Sequence, residues 1–291
     1  MTAASHSLPA YDVTAIQTGL RTAAIGRTIH YQASIASTNS AAIALAQEGS
    51  CHGTLILADA QRAGRGRRGR QWYSPPGRNL YCSVIFRLPP GQTGFLTLIP
   101  LASALAVADA ISDSAAIPCR LKWPNDVLIG DKKVAGILCE SVGGQADTIV
   151  VVGIGINVNS RPEDLPGELK STATTLLAER GVSRDILIDR TTLVSTLMNR
   201  LEERMALLSP QTQPRLLDAY RTRCATLGQW VQAMVSETDM IEGIAEAIGA
   251  DGSLHIRRTS SSGSGGTEEI VEVRSADIVH LRGMTGTGLM G

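Results

Sequence analysis

The segment QRAGRGRRGRQW, residues 61–72, has the residue types to bind an anion, with five arginines and three glycines in twelve residues. Arginine is a planar donor that pairs bidentately with phosphate or carboxylate. The glycines loosen the backbone. The segment therefore predicts a mobile loop that closes over an anionic ligand. A solvated loop or an RNA-binding Gly-Arg patch would carry the same residues, so both alternatives stay open at this point.

A second group of polar residues, Lys122, Asn125 and Asp126, lies in the motif KWPND at the end of a predicted strand. The lysine can contact a phosphate, the asparagine a ribose or a metal ligand, and the aspartate Mg²⁺. The same residues also favour an ordinary Pro-Asn-Asp turn. Taken alone, the motif favours the turn.

Two further features are Lys133, which opens the predicted strand KVAGIL, and the glycines of GIGIN, residues 153–157. The lysine either points to solvent or reaches into a cleft to neutralise charge at a reacting phosphorus. GIGIN resembles part of a dinucleotide fingerprint, but the third glycine is missing and no helix clearly follows, so a Rossmann interpretation is rejected. Gly153 and Gly155 instead predict that a ligand lies flat on a strand.

The elements around these motifs predict an α+β domain. Hydrophobic patterning indicates strands over residues 28–36, 53–58, 79–88, 120–123, 133–141 and 148–157. Helices are predicted near residues 13–24, 40–49, 96–112, 185–208 and 212–225. Thr38 or Asn39 is expected to cap the helix at 40–49, and Gly49 to end it.

The pattern changes after Leu227, where short alternating segments predict a β-barrel of SH3 size over residues 230–235, 241–248, 253–257 and 269–273. SSSGSGG, residues 260–266, is the expected hairpin tip between two of these strands. The expected division is an N-terminal leader (1–27), a catalytic domain (28–226), the barrel (227–283) and a tail (284–291).

Composition narrows the class of protein. The chain carries 27 basic and 27 acidic side chains, so a wide basic face for nucleic acid or a membrane surface is not expected. The five cysteines form no CxxC pair, which argues against a zinc site and predicts small buried residues in a reducing cytosol. We find no signal peptide, and no apolar run of the roughly 20 residues that span a bilayer. A cytoplasmic protein is expected.

The order of the motifs STN (37–39), GRGRRGRQW (64–72), KWPND (122–126), KVAGIL (133–138) and GIGINVN (153–159) resembles the biotin protein ligases, the biotin–[acetyl-CoA carboxylase] ligase family. The resemblance runs from about residue 28 to residue 159. The later helices and the terminal barrel fit the same layout. It implies a mixed-sheet catalytic domain of the class II synthetase-like, biotin–lipoate ligase type, followed by an SH3-like C-terminal β-barrel.

The resemblance also implies an activity. Such enzymes join biotin to ATP, giving biotinyl-5′-AMP and pyrophosphate, and pass the biotinyl group to one lysine of a biotin carboxyl carrier protein. Biotin, ATP and Mg²⁺ are the implied ligands. The family often dimerises through sheet edges, so a homodimer is a further expectation, and its terminal barrel is linked to ATP and acceptor binding.

Individual roles follow from the matching positions. The implied biotin contacts are Ser37, Thr38, Asn39, Gln61, Arg65, Gly66, Arg67 and Lys133. The implied ATP contacts are Arg67, Trp72, Lys122, Asn125, Asp126 and Asn157. Lys133 and Arg67 are the expected catalytic residues, and Asp126 is the expected Mg²⁺ ligand.

Some family members carry an N-terminal DNA-binding domain and repress biotin-synthesis genes. Such a module is longer than the stretch before the first predicted strand, so we expect a ligase without a repressor role and without DNA as a partner. Three alternatives remain open, namely a lipoate or octanoate ligase on the same general fold, a Gly-Arg-rich RNA-binding protein, and an inactive relative that senses biotin.

Overall fold

The computed structural model describes residues 10–89, 93–143, 148–181, 186–259 and 268–280. A seven-stranded mixed sheet lies at the centre of the larger unit. Its strands are β1 (Ile29–Gln32), β2 (Leu55–Ala58), β3 (Leu80–Leu88), β4 (Arg120–Lys122), β5 (Asp126–Ile129), β6 (Lys132–Gly143) and β7 (Thr148–Ile156). The strand order is β1-β2-β3-β7-β6-β5-β4, with β1 parallel to β2 and the other pairs antiparallel. Strands β3 and β7 are nearly continuous apolar runs, as expected for strands that are buried along much of their length.

The helices of this unit are α1 (Val13–Gly19), α2 (Thr38–Gln47), α3 (Ile99–Ala115), α4 (Leu176–Glu179), α5 (Arg190–Met205) and α6 (Gln213–Arg223). Helix α3 packs on α5 and on one face of the sheet, where the main hydrophobic core forms. Helix α2 covers the other face with a smaller cluster that includes Ile149 and Val151 of β7. The smaller cluster stops partway along β7, which leaves the rest of that face open.

The segment predicted as a leader contributes to the core of the large unit from residue 10 onward. Helix α1 packs against α5, and Ile16 is fully buried. The Tyr11 hydroxyl donates to the Asn79 carbonyl oxygen, and the Arg190 guanidinium lies 4.4 Å from the centre of the Tyr11 ring. These contacts tie residues 10–27 to the sheet. The boundaries at residues 28 and 227 stay proposals.

The start of helix α2 differs from the prediction. Ser37, not Thr38 or Asn39, caps the helix, with its hydroxyl accepting from the Ser40 amide. The prediction was wrong because the Thr38 and Asn39 side chains turn inward and bond to the sheet instead. Gly49 follows the helix with a φ of +98°, the left-handed conformation in which glycine ends a helix.

Helix α3 differs from the prediction in another respect. Together with the preceding 3₁₀ turn it forms a helical stretch, Thr93–Ala115, that is long and apolar enough to cross a membrane by length and composition. The sequence analysis did not expect such a stretch. Because 72% of its apolar window is buried inside the fold, the stretch serves as a core helix.

A five-stranded antiparallel sheet forms the C-terminal unit, with strand order β11-β10-β9-β8-β12. The strands are β8 (Trp230–Met234), β9 (Met240–Ile248), β10 (Leu254–Thr259), β11 (Glu268–Val273) and β12 (Asp277–His280). This confirms the small SH3-like β domain, although β5 and β12 were not predicted. The expected hairpin tip (260–266) and tail (284–291) lie outside the described residues. The Trp123 indole N–H donates to the Gly252 carbonyl oxygen across 2.9 Å, which joins the two units.

The five cysteines are all free. Their burial differs from the expectation, because Cys51 is exposed and only Cys82 is fully buried.

Candidate active site

A cleft of about 700 Å³ lies between the open face of β6 and β7, the basic loop and the C-terminal unit. Every predicted site residue lines this cleft. They are Ser37, Thr38, Asn39, Gln61, Arg65, Gly66, Arg67, Trp72, Lys122, Asn125, Asp126, Lys133 and Asn157. The motifs are far apart in the sequence, so it is the fold that brings them together.

The floor of the cleft is made of glycines. Gly153 and Gly155 continue the face of β7 that begins with Ile149 and Val151, and Gly136 pairs with Gly155 from β6. A Cβ at Gly153 would lie 2.0 Å from Asn39 Oδ1, and one at Gly155 would lie 2.5 Å from the Trp72 indole. The sequence predicted a ligand lying flat on these glycines. In the structure two side chains of the protein, Asn39 and Trp72, lie against them.

One end of the cleft is a hydrogen-bonded group at the start of α2. The Thr38 amide donates to Gln61 Oε1 across 2.9 Å, and Gln61 Nε2 donates to Ser74 Oγ across 3.1 Å. The Ser83 hydroxyl lies 2.8 Å from Thr38 Oγ1 and 2.6 Å from Asn39 Oδ1. Three of the predicted biotin contacts, Thr38, Asn39 and Gln61, therefore belong to one connected polar group that orients their side chains.

Glu140 extends this group and was missed by the sequence analysis. Its carboxylate accepts from Asn39 Nδ2 at 2.7 Å and from the Arg65 guanidinium at 3.0 Å. The alternation of β6 places Glu140 on the same face as Gly136 and Leu138. That period was visible in KVAGILCE and could have identified it.

The chemistry of the other end centres on Lys133. Its Nζ lies 2.5 Å from Asp126 Oδ1 and 5.3 Å from the centre of the Trp72 ring. Burial lowers the pKa of Lys122 from its ordinary value, whereas the nearby Asp126 carboxylate opposes that shift. Lysine amines and one carboxylate thus share a partly desolvated corner, where their interactions with a charged ligand are stronger than in water.

The basic loop crosses the cleft. Arg67 donates to Asn125 Oδ1 at 3.2 Å, to Ser275 Oγ at 2.8 Å and to the Ala276 carbonyl oxygen at 2.9 Å. Burial lowers the pKa of Arg67, although the neighbouring carboxylates oppose this. Among the described residues, Trp72 Nε1 is buried and has no hydrogen-bond acceptor. The mobility of this loop stays a prediction.

Asn157 is less available than the sequence suggested. It is 7% exposed, and its Nδ2 donates to the Thr174 carbonyl oxygen across 3.1 Å. Its side-chain nitrogen thus bonds within the protein, and its backbone carbonyl oxygen accepts from the Leu176 amide, which leaves Oδ1 as the polar group for a ligand.

The Mg²⁺ prediction rests on Asp126. Across the described ranges, no group of three or more His, Cys, Asp or Glu side chains could hold a metal ion. A single carboxylate suits Mg²⁺, because this ion keeps several waters and takes phosphate oxygens as ligands. Asp126 therefore fits a nucleotide-bound Mg²⁺ rather than a metal held by protein alone.

The C-terminal unit adds cleft residues that the sequence analysis did not single out, notably Asp277 and His280. Burial lowers the pKa of His280 to about 4, with further lowering by Lys122 and Arg120. Both residues lie on β12, a strand of four residues that carries too little periodicity to be recognised alone.

Comparisons with known proteins identify relatives of this chain. The model of the Biotin/lipoate A/B protein ligase family matches residues 31–157. The biotin–[acetyl-CoA-carboxylase] ligase of Mycobacterium tuberculosis is 35% identical over 263 residues, which cover 88% of this chain and 90% of that protein. The bifunctional ligase/repressor BirA of Bacillus subtilis is 40% identical over 193 residues, 65% of this chain, and the match spans 57% of its length.

Solved structures match across both units. The biotin protein ligase of Aquifex aeolicus in complex with biotin and ATP aligns with a TM-score of 0.72 and 29% identity. The alignment covers 88% of this chain and all of that one. The chain therefore belongs to the biotin protein ligases of the biotin/lipoate A/B protein ligase family.

Proposed function

We propose that this protein is an ATP-dependent biotin protein ligase, which activates biotin as biotinyl-5′-AMP and transfers it to a lysine of a biotin carboxyl carrier protein. One observation carries the proposal: the polar residues of five separated motifs meet in a single cleft of about 700 Å³. That volume is within the range of small-molecule and cofactor sites. The relatives named biotin–[acetyl-CoA-carboxylase] ligases support biotin as the acid and a carboxylase as the source of the acceptor.

In the first step a carboxylate oxygen of biotin attacks the α-phosphorus of ATP. The new P–O bond forms as the bond to the β-phosphate breaks, and pyrophosphate leaves. Two anions must approach each other, so the amines of Lys133 and Lys122 and the Arg67 guanidinium offset their repulsion and stabilise the developing charge. Asp126 would hold the Mg²⁺ that accompanies the phosphates, and that ion would offset part of their charge.

In the second step the amine of an acceptor lysine attacks the acyl carbon of the mixed anhydride. The C–N bond forms, the acyl C–O bond breaks, AMP leaves, and the amine loses a proton. The anhydride hydrolyses readily if water reaches it. The basic loop therefore has a second role, which is to cover the intermediate until the acceptor arrives.

The biotin head group fits the polar end of the cleft. Thr38, Asn39 and Gln61 offer both donors and acceptors there, and each is already oriented by a neighbour. A site that hydrogen-bonds its ligand from fixed groups discriminates strongly against analogues that lack those groups. This favours biotin over lipoate or octanoate, which have no ureido group to pair with.

The proposal is tested with the purified full chain, ATP, Mg²⁺ and a biotin carboxyl carrier domain. Biotin, lipoate and octanoate are offered separately, and the acceptor is analysed by mass spectrometry. We expect a biotinyl adduct on one lysine that requires ATP. An adduct formed only from lipoate or octanoate would assign the other branch of the family, and no adduct from any acid would favour the biotin sensor.

Some expectations lie beyond this assay. A cytoplasmic location and a homodimer formed through sheet edges are part of the proposal. Analytical ultracentrifugation with and without biotin and ATP tests the homodimer.

A further inference from the structure

Three arginines of the basic loop converge on one carboxylate of the C-terminal unit. The guanidinium nitrogens of Arg67, Arg68 and Arg70 lie 3.6, 3.9 and 2.5 Å from the carboxylate oxygens of Asp277. The Asp277 side chain is only 13% exposed, whereas that of Arg70 is 69% exposed. A single, nearly buried carboxylate that lines the cleft thus contacts three of the five arginines of the loop.

Backbone contacts reinforce this carboxylate at the same corner of the C-terminal unit. Arg68 donates to the carbonyl oxygens of Met234 and Val235, and Asp277 faces Met234 in the pairing of β12 with β8. Arg68 adopts a φ of +53°, which side chains other than glycine rarely adopt without supporting contacts. The loop conformation and the corner of the C-terminal unit are therefore matched to each other.

The charges at this corner do not cancel. One carboxylate compensates for one guanidinium, so the loop keeps a surplus of positive charge while it is attached. Arg67 also lines the cleft, next to Asn125. An anion in the cleft can therefore interact with the loop without displacing Asp277.

We propose that Asp277 is a positioning residue that fastens the basic loop to the C-terminal unit across the cleft. The carboxylate acts through the arginines and does not touch the reacting atoms. Its consequence for catalysis, slower loss of the adenylate from the closed cleft, rests on the proposed ligase function. The contact between Asp277 and the loop arginines does not depend on that function.

Limited proteolysis tests the fastening without any substrate. Trypsin cleaves after arginine, and the loop offers the bond after Arg65 as a reporter. We expect Asp277→Asn to raise the rate of cleavage there roughly 5- to 10-fold in the full chain, because charge-assisted hydrogen bonds that hold the loop are lost. Glu268→Gln is the matched control, since it removes one carboxylate from the same unit, where Glu268 pairs with Arg257 instead of the loop. An unchanged rate in a folded Asp277→Asn protein overturns the proposal.

A reciprocal variant covers the case in which Asp277→Asn unfolds the C-terminal unit. Arg70 is largely exposed, so Arg70→Gln leaves the core intact and keeps the reporter bond. We expect faster cleavage in Arg70→Gln than in the wild type. The double variant Asp277→Asn/Arg70→Gln should be cleaved little faster than Asp277→Asn alone, because Asp277→Asn has already removed the carboxylate that Arg70 contacts. Additive effects would contradict the pairing.

A second readout links the fastening to catalysis. The dissociation rate of preformed biotinyl-5′-AMP is measured by a chase with unlabelled biotin and ATP, and we expect it to rise in Asp277→Asn but not in Glu268→Gln. Faster proteolysis with an unchanged dissociation rate would keep the fastening and overturn its part in retention. If no adenylate forms in the wild-type protein, the ligase proposal fails while the proteolysis result stands.

Discussion

The Lys133→Ala substitution removes the amine that lies between Asp126 and Trp72 in the cleft. Lys133 belongs to β6, where its backbone amide donates to the Thr172 carbonyl oxygen and its own carbonyl oxygen accepts from the Thr174 amide. Alanine keeps both of these backbone contacts. The substitution therefore changes the charge of the cleft and leaves the strand in place.

Two magnitudes distinguish a catalytic loss from a folding loss. Lys133 and Asp126 remain 32% and 23% exposed, so their ion pair contributes about 0.2–1 kcal/mol to stability. The contact with the Trp72 ring adds about 0.5–1 kcal/mol. Loss of a group that stabilises charge in the transition state lowers kcat by about 10²–10³-fold, or roughly 2.7–4 kcal/mol.

The assay follows biotin-dependent release of pyrophosphate, together with the thermal midpoint of each protein. We expect Lys133→Ala to lose most of its adenylation rate while it unfolds within a few degrees of the wild type. Lys132→Ala is the matched control, because Lys132 is the preceding residue of the same strand and is exposed. We expect it to behave as the wild type does.

Two results would refute the reasoning. A near-normal rate of pyrophosphate release in Lys133→Ala would show that this amine does not stabilise the reacting phosphate. An equal loss in Lys132→Ala would show that the effect comes from the general positive charge of the strand.

Three other predictions follow from the floor and the rim of the cleft. In Gly155→Ala the new methyl group would lie 2.5 Å from the indole of Trp72, so the ring must move by about 1 Å or more. We expect a folded protein with altered tryptophan fluorescence. An unchanged spectrum would contradict the packing of the Trp72 indole against Gly155. Trp72→Phe removes a buried N–H that has no acceptor among the described residues, so the stability of the protein should be equal or higher. The affinity for the adenylate should fall by roughly 5- to 10-fold. Undiminished affinity in calorimetry would exclude a hydrogen bond from this N–H to the ligand. The folded state lowers the pKa of His280 from its usual 6.5 to about 4, mainly by burial, so the unfolded chain binds a proton that the folded chain does not. The protein therefore loses stability as the pH falls from about 6.5 to about 4. The thermal midpoint of His280→Gln should fall less than that of the wild type over this range, and equal falls in the two proteins would contradict the argument.

The sequence carried enough information to predict the cleft because its signals are local. GRGRRGRQW and KWPND each hold their polar residues within a few positions, and the alternation of β7 places Ile149, Val151, Gly153 and Gly155 on one face, apolar at its start and bare at its end. Such patterns predict strands from local sequence, without knowledge of which strands pair in the sheet. Placing the motifs at a shared cleft then required only the resemblance to a known family.

The missed features depend on contacts between distant parts of the chain. Thr38 and Asn39 have suitable side chains for a helix cap, but Ser83 and Glu140, which draw them inward, are distant in sequence. Asp277 lies in a four-residue strand whose role comes from arginines about 200 positions earlier. Periodicity places Glu140 on the face of the cleft, but neither local propensity nor periodicity encodes which distant residue a side chain pairs with.

Most polar groups that we assign to substrates already have a partner in the protein. Lys133 pairs with Asp126, and Asn39 pairs with Glu140. A ligand that binds these groups exchanges one partner for another, so each contact adds only about 1 kcal/mol of affinity. Trp72 Nε1 differs, because it is a buried donor without an acceptor among the described residues. Because this nitrogen is buried against Gly155, a ligand oxygen reaches it only when the indole moves. The hydrogen bond then forms without breaking another, on the same loop that Asp277 fastens to the C-terminal unit.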